Sequence, residues 1–585
     1  MTKHYKIIAF IIVLAALFLA ITSVWDDSPI VDEIPHIGSG YSYVIKGDYR
    51  LNPEHPPLAK DLAGIALKFL SLKQGVFDTQ YWNEDLNGQW NFGRNLIFNS
   101  GNDAIKIAHA AKIPIFIFFI ISAVLIFIWA KDLDGPMSAL IALFLFAFSP
   151  TVMAHSRFVT TDVPALFGVL LASYFFIKFL KNPSHKHLLI AGLAFGVAQL
   201  TKFSLFLFVP YFGLLALIYG WMHHAYGHKL KHAIHYGFLS VAVMIMGFVT
   251  VVWPVYALHT MNYPPLRQKS DTTRLLESYG NRKFADRVIW LSDKPFLRPL
   301  AQYGLGLLLV NQRSIGGNTT YFLGEVSKHA WKKYFPVVYF IKEPLAFWFL
   351  VAIVIGFLLT KFRKLGSGIE YWFRTNFDKF AMLLWLAIYW IVSIRANLNI
   401  GVRHLMPVYG FTYILVSSSI VSTYEHLQLV WKKWFLVVLI AIFGWYLAEN
   451  LMIYPYYLTY FNQVAGGPSG GHNYVVDSNL DWGQDAKRLA EWLKANNVQE
   501  KVYLDYFGWS DQSYYYPDKY VGLSAGKFKS LQDFFKENSQ GGWMAVSVSF
   551  YMGSRGDVAN NYVWLDSVKP TAVIGNSIFI WHLMP

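Results

Sequence analysis

The chain has 585 residues, is 55% hydrophobic and only 15% charged, and its mean hydropathy is +0.34. Soluble domains run nearer half apolar and a quarter charged, so a water-soluble, disordered or fibrous whole is excluded. The net charge of +14 points to cytoplasmic loops and to anions such as lipid head groups or phosphates. It does not point to nucleic acid, because no long Lys/Arg tract stands out.

Aromatic residues reach 18%, which suits interfacial belts, and cysteine is absent. Disulfides, a thiolate nucleophile and thiolate metal sites are therefore impossible. Apolar runs long enough to cross a bilayer recur at about 7–25, 105–130, 136–154, 163–181, 188–201, 203–222, 234–256, 338–360, 381–395, 404–423 and 434–452. They predict an all-α polytopic membrane bundle of about eleven helices, the fifth short enough to be broken or re-entrant. The first run has a signal peptide as its alternative reading. Its length, the lack of an A-x-A site and the stop at Trp25-Asp26-Asp27 favour a retained helix.

Charge sets the orientation. Alternating outward from Lys3 and Lys6 puts Lys131, Lys181/Lys186, Lys229/Lys231, Lys361/Arg363/Lys364/Arg374/Lys379 and Lys432/Lys433 on one side, read as the cytoplasm. The N-terminus is then cytoplasmic and the C-terminus outside. Residues 1–452 form the membrane domain, with outside loops at about 26–104 and 257–337. Residues 453–585 form a small extracytoplasmic α/β domain, with a helix near Asp485–Asn497 and strands at Lys501–Phe507, Trp543–Ser549 and Ala572–His582. The second outside loop is basic, and an anionic ligand is one reason for that.

Several charged groups then share the outer side. Asp32-Glu33 follow the first helix at an apolar wall, where partial desolvation raises a carboxylate's basicity toward that of a general base. A solvated interfacial acidic pair is the plain alternative. His55-Pro56-Pro57 opens an amphipathic helix, and His55 and Lys60 flank a start that suits a phosphate. Asp162, after Arg157, stands at the mouth of an apolar helix and also reads as an N-cap. Tyr321, Glu325, Lys342, Arg403 and His404 follow, and Arg403 can offer a planar fork to a phosphate. His155 reads as a satisfied interfacial histidine. His223, His224, His228, His232 and His235 read as a cytoplasmic interfacial surface rather than a metal cluster.

The chain resembles the C-class membrane glycosyltransferases, in particular the dolichyl-phosphate-mannose–protein mannosyltransferases and the bacterial lipid A aminoarabinose transferases. The resemblance is carried by Asp32-Glu33, by Gly47-Asp48 followed by His55-Pro56-Pro57-Leu58, and by Arg157 to Pro164. Bacterial relatives of unassigned acceptor also share Tyr321–Glu325, Lys342-x-Pro344, Gly401-x-Arg403-His404 and the string Asp477–Asp485, which marks the subfamily and says little about chemistry.

What the resemblance implies is a phospholipid-carrier-dependent transferase of the bacterial cytoplasmic membrane, with an outward site and a polyprenyl-phosphate-linked sugar donor. The acceptor is a protein, lipid or glycan, and membrane lipids are further partners. Asp32 is then the base, with Glu33 and Asp162 orienting it or holding a divalent metal. Arg403, Lys60, Lys342 and His55 receive the donor phosphate. The lipid A transferases carry Lys where this chain has His55, and the C-terminal region does not resemble the β-trefoil of the eukaryotic mannosyltransferases. A transporter or flippase of lipid-linked sugars, or a non-catalytic scaffold, are the alternative readings.

Overall fold

A computed structural model describes residues 4–223, 228–362 and 369–585. Lys3, His224, Arg363 and Lys364 lie outside the described residues. The protein is mostly helical, with a small sheet region near its C-terminus. Among the described residues, eight helices are long and apolar enough to cross a membrane, or nine if one bent pair forms a single span.

All eleven apolar runs fold as helix, but three depart from a simple span. The helix Phe116–Ala147 breaks at Asp134 and Gly135, where Gly135 adopts φ 81° ahead of Pro136. Phe119 stacks on Phe146 at 5.0 Å, whereas in an unbroken helix these rings would lie about 40 Å apart. The stretch is therefore an antiparallel hairpin. The short run is a helix of 15 residues, His185–Gln199, started by Ser184, whose hydroxyl accepts from the His187 N–H. The run expected at 338–360 is bent by 110° between Tyr334–Lys342 and Leu345–Leu359. Glu343 precedes Pro344 and is extended, as a residue before proline prefers. Asn462 bonds to the carbonyls of Phe340 and Glu343, which the break leaves free.

Of the residues grouped by charge alternation, Lys181 and Lys379 share one end. Lys379 pairs with Asp134 at 2.9 Å, Lys181 pairs with Asp378, and Trp129 donates to Asp378. Tyr5 stacks on Phe127 near that end. The long segments pack on the opposite end. There Thr320–Phe322 (β1) and Glu325–Ser327 (β2) form a hairpin, and Phe322 bridges Val475 of the C-terminal region.

The C-terminal sheet comprises Val502–Asp505 (β3), Tyr520–Gly522 (β4), Gly542–Ser547 (β5), Ala572–Ile574 (β6) and Ile578–Leu583 (β7), in the order β4-β3-β5-β7-β6. β3 runs parallel to β4 and β5, and β7 antiparallel to β5 and β6. The helix Ala486–Ala495 covers it through Leu489 and Leu493. The run expected at Ala572–His582 is thus two strands, and β4 has no apolar alternation that the sequence would betray.

A buried ion network ties the first helix, the loop after the hairpin and this helix together. Asp27 pairs with Arg157 at 3.0 Å and with Arg488 at 2.7 Å. Burial alone would raise the Asp27 carboxyl, but the charges of Arg157, Arg488 and Lys112 outweigh it and hold it below its ordinary value. A depressed carboxylate stabilises the fold above its unfolded pKa and stops doing so as pH falls through its folded value. Asp27→Asn is therefore expected to lower the thermal midpoint at pH 7. That deficit should shrink as the pH is taken below about 4, as read by thermal unfolding across a pH series.

Candidate active site

The end covered by the loops holds a pocket walled by Asp32, Glu54 and His55 from the first loop, Lys202, Arg313 from the helix Arg298–Gly316, and Arg403 and His404. Its remaining wall is largely apolar, including Phe203, Leu207, Val310, Phe335 and Val392. Cations and carboxylates in such surroundings interact more strongly than in water.

Arg403 is the hub. It lies in a short turn, Val402–Leu405, that leads into the helix Met406–His426. Its Nη1 is 2.8 Å from Asp32 Oδ2 and 3.8 Å from Asp162 Oδ2. Its Nε donates to Ser478 Oγ at 3.0 Å, and its guanidinium lies over the Trp482 ring at 4.4 Å. Asp162 is fully buried, and its Oδ1 accepts from Lys202 Nζ at 2.6 Å. The N-cap reading of Asp162 does not hold. Thr161 occupies that position, and the Asp162 carboxylate is committed to the two cations.

The structure thus brings together Asp32, Asp162, Arg403, His404 and His55, from four distant stretches of chain. His55 is edge-on to His36 at 4.9 Å. Burial, followed by the neighbouring His36, Lys60 and Arg313, pushes its pKa well below the usual value. At neutral pH it therefore offers a neutral ring to the pocket rather than a charge. His155 is likewise held neutral, its pKa pushed down to about 3 chiefly by burial, and neither ring nitrogen has a hydrogen-bond partner among the described residues.

Other residues singled out by sequence serve as anchors outside the pocket lining. Glu33 accepts from the Val159 and Ile30 N–H groups and pairs with Lys112 at 3.2 Å, fully buried. Burial raises its pKa, partly offset by Lys112 and those two bonds. Lys60 Nζ is wrapped by the Asn52 side chain and carbonyl, the His55 carbonyl and the Tyr43 hydroxyl, and burial lowers its pKa to about 7. Lys342 donates to the Leu458 and Asn479 carbonyls. Arg157 binds the end of the first helix through Ser23. Tyr321 donates to the Asn473 carbonyl, and Glu325 is exposed on β2.

Several cations of the second loop are paired within it, as in Lys269–Asp293 and Arg282–Asp286. Of the loop's cations only Arg313 lines the pocket. The residues that could hold a metal do not fit one. Among the described residues no three His, Asp or Glu side chains group as ligands. The Arg403 guanidinium, not a gap, separates Asp32 from Asp162, and Glu33 is bound elsewhere.

Sequence reasoning missed Lys202, Glu54, Arg313, Ser478 and Trp482. Lys202 carried a usable signal, being a lone charge between two apolar runs. Ser478 and Trp482 belong to the string set aside as chemically uninformative.

Residues 104–253 match the family model described as dolichyl-phosphate-mannose-protein mannosyltransferase. Dolichyl-phosphate-mannose–protein mannosyltransferase 1 of Saccharomyces cerevisiae is 27% identical over 221 residues, 37% of this chain and 25% of the yeast protein. The match thus spans about a quarter of that relative. The protein O-mannosyltransferase Pmt1-Pmt2 complex of S. cerevisiae, solved with its sugar donor, superposes with a TM-score of 0.55 at 11% identity, covering 89% of this chain and 94% of that one. The alignment with ArnT from Cupriavidus metallidurans, solved with undecaprenyl phosphate, covers 99% of this chain and 98% of that one, at 12% identity and a TM-score of 0.44.

If Glu33 is an anchor, Glu33→Ala strands Lys112 as an uncompensated buried charge and is expected to cost about 3–5 kcal/mol of stability. Adding Lys112→Met should recover part of that loss, which a double-mutant cycle in thermal unfolding would measure.

Proposed function

From a multi-pass membrane protein that carries the C-class glycosyltransferase fold and a mannosyltransferase-family segment, we propose a transferase. It moves a sugar from a polyprenyl-phosphate donor to an acceptor hydroxyl or amine. The observation that carries this reading is the Asp32–Arg403 pair on the wall of a pocket also lined by Lys202 and Arg313. A sugar on a lipid phosphate has a good leaving group, so the reaction needs a base for the acceptor and cations at the phosphate.

Asp32 takes the proton from the acceptor through Oδ1, which has no hydrogen-bond partner among the described residues, while Oδ2 accepts from Arg403. The acceptor oxygen or nitrogen then bonds to the anomeric carbon as the carbon–oxygen bond to phosphate breaks. The electron pair passes to the phosphate oxygen, and the polyprenyl phosphate leaves against Arg403, Lys202 and Arg313. Attack opposite the leaving group inverts the anomeric centre. Asp162, bonded to Lys202 through Oδ1 and with Oδ2 facing Arg403 at 3.8 Å, orients both cations. The apolar wall at Phe203, Leu207 and Val310 suits the isoprenoid nearest the phosphate.

The eight spans, together with the hairpin partner, the short helix and the bent pair, make eleven crossing elements in this reading. Residues 1–452 are the transfer domain in a bacterial cytoplasmic membrane, with the N-terminus inside, and 453–585 lie outside with the pocket. Loss of a base of this kind costs about 10²–10⁴ in rate. Asp32→Asn is thus expected to fold, with a thermal midpoint lowered by loss of the nearest counter-charge of Arg403, and to release polyprenyl phosphate from a radiolabelled polyprenyl-phosphate hexose at least about a hundredfold more slowly. Undiminished release would refute the assignment.

A further inference from the structure

The string Asp477–Asp485, which the reading above does not use, enters the site from the C-terminal region. Ser478 is fully buried; its hydroxyl donates to the Ile400 carbonyl at 3.2 Å and accepts from Arg403 Nε at 3.0 Å. The chain gives way to it at Gly401, where a Cβ would lie 2.4 Å from Ser478 Oγ. Asn479 fixes the next residue of the Arg403 turn, its side-chain oxygen accepting from the Val402 N–H at 2.9 Å. Trp482, also buried, presents its ring to the guanidinium, and its carbonyl accepts from the Val31 N–H, next to Asp32. One loop therefore holds both partners of the central ion pair.

The consequence is geometric. Nε is bound by Ser478, Nη1 faces Asp32 and Asp162, and one face of the planar group is covered by the Trp482 ring. Among the described residues Nη2 alone of the three nitrogens has no hydrogen-bond partner, on a residue that lines the pocket. A guanidinium recognises phosphate through its planar fork, so its orientation sets which N–H groups are presented.

We propose that Ser478 and Trp482 are positioning residues of the transfer site, holding Arg403 so that its free edge meets the lipid phosphate. The C-terminal region is thereby a working part of the site and not a cap. This rests on Arg403 being the phosphate ligand, as proposed above.

The test is binding of undecaprenyl phosphate to the full chain in nanodiscs, with neutral undecaprenol as control. Ser478→Ala is expected to weaken undecaprenyl phosphate about tenfold, the scale of a hydrogen bond to a charged group, and to leave undecaprenol unchanged. Equal loss for both lipids, or no loss, overturns the proposal. Should Ser478→Ala not fold, Trp482→Phe keeps a ring with a weaker face for the cation and should cost about threefold, again for the phosphate lipid alone. Unchanged affinity there overturns it too. Arg403→Ala separates the two readings: if it leaves affinity intact, the phosphate assignment itself fails. If it weakens binding while Ser478→Ala does not, only the positioning role fails.

Discussion

A guanidinium set into a largely apolar wall has to be neutralised, because an unpaired buried charge is costly. Arg403 meets that demand with Asp32 and, more distantly, Asp162, and Asp162 in turn needs Lys202. The result is a chain of alternating charge that joins the first loop, the start of the helix Asp162–Lys181, the turn at Lys202 and the start of the helix Met406–His426. Each of these stretches is positioned by the others. The pocket is what remains between them.

Around this chain lies a layer of buried charges with no opening to the pocket. Asp27 gathers Arg157 and Arg488, Glu33 gathers Lys112, and Lys60 is enclosed by carbonyls and hydroxyls. Such groups contribute little to net stability over apolar replacements, yet breaking any one pair is strongly destabilising. Their effect is to fix the register of loops that have little regular structure. The loop carrying Asp32 is pinned on one side through Glu33 to Val159 and on the other through Val31 to Trp482. That is how an exposed-looking acidic dipeptide divides its labour, one carboxylate facing the pocket and its neighbour facing the scaffold.

Much of the site was legible before the fold. Asp32, Asp162, Arg403, His55 and His404 were singled out by residue type and by their position at the ends of apolar runs, and they do converge. Lys60, Lys342, Glu33 and Arg157 were singled out by the same signs and turned into anchors. A cation near a helix start looks the same whether it awaits a ligand or caps carbonyls of its own chain. Lys342 illustrates this: it clasps Leu458 and Asn479, more than a hundred residues away, and no local pattern reports that.

By itself the sequence determined the membrane class, the helical runs and which charges share an end, because crossing a bilayer demands long uncharged stretches and leaves charge only between them. It also determined the small α/β character of the last segment, through helical spacing and short apolar strands. Only the tertiary structure decided that a run could be bent at Pro344 or folded back at Gly135, that Asp162 pairs with Lys202, and that Ser478 and Trp482 reach Arg403. Those outcomes depend on contacts between residues far apart in the chain, and a hydrogen bond or ion pair across such a distance leaves no periodicity to read.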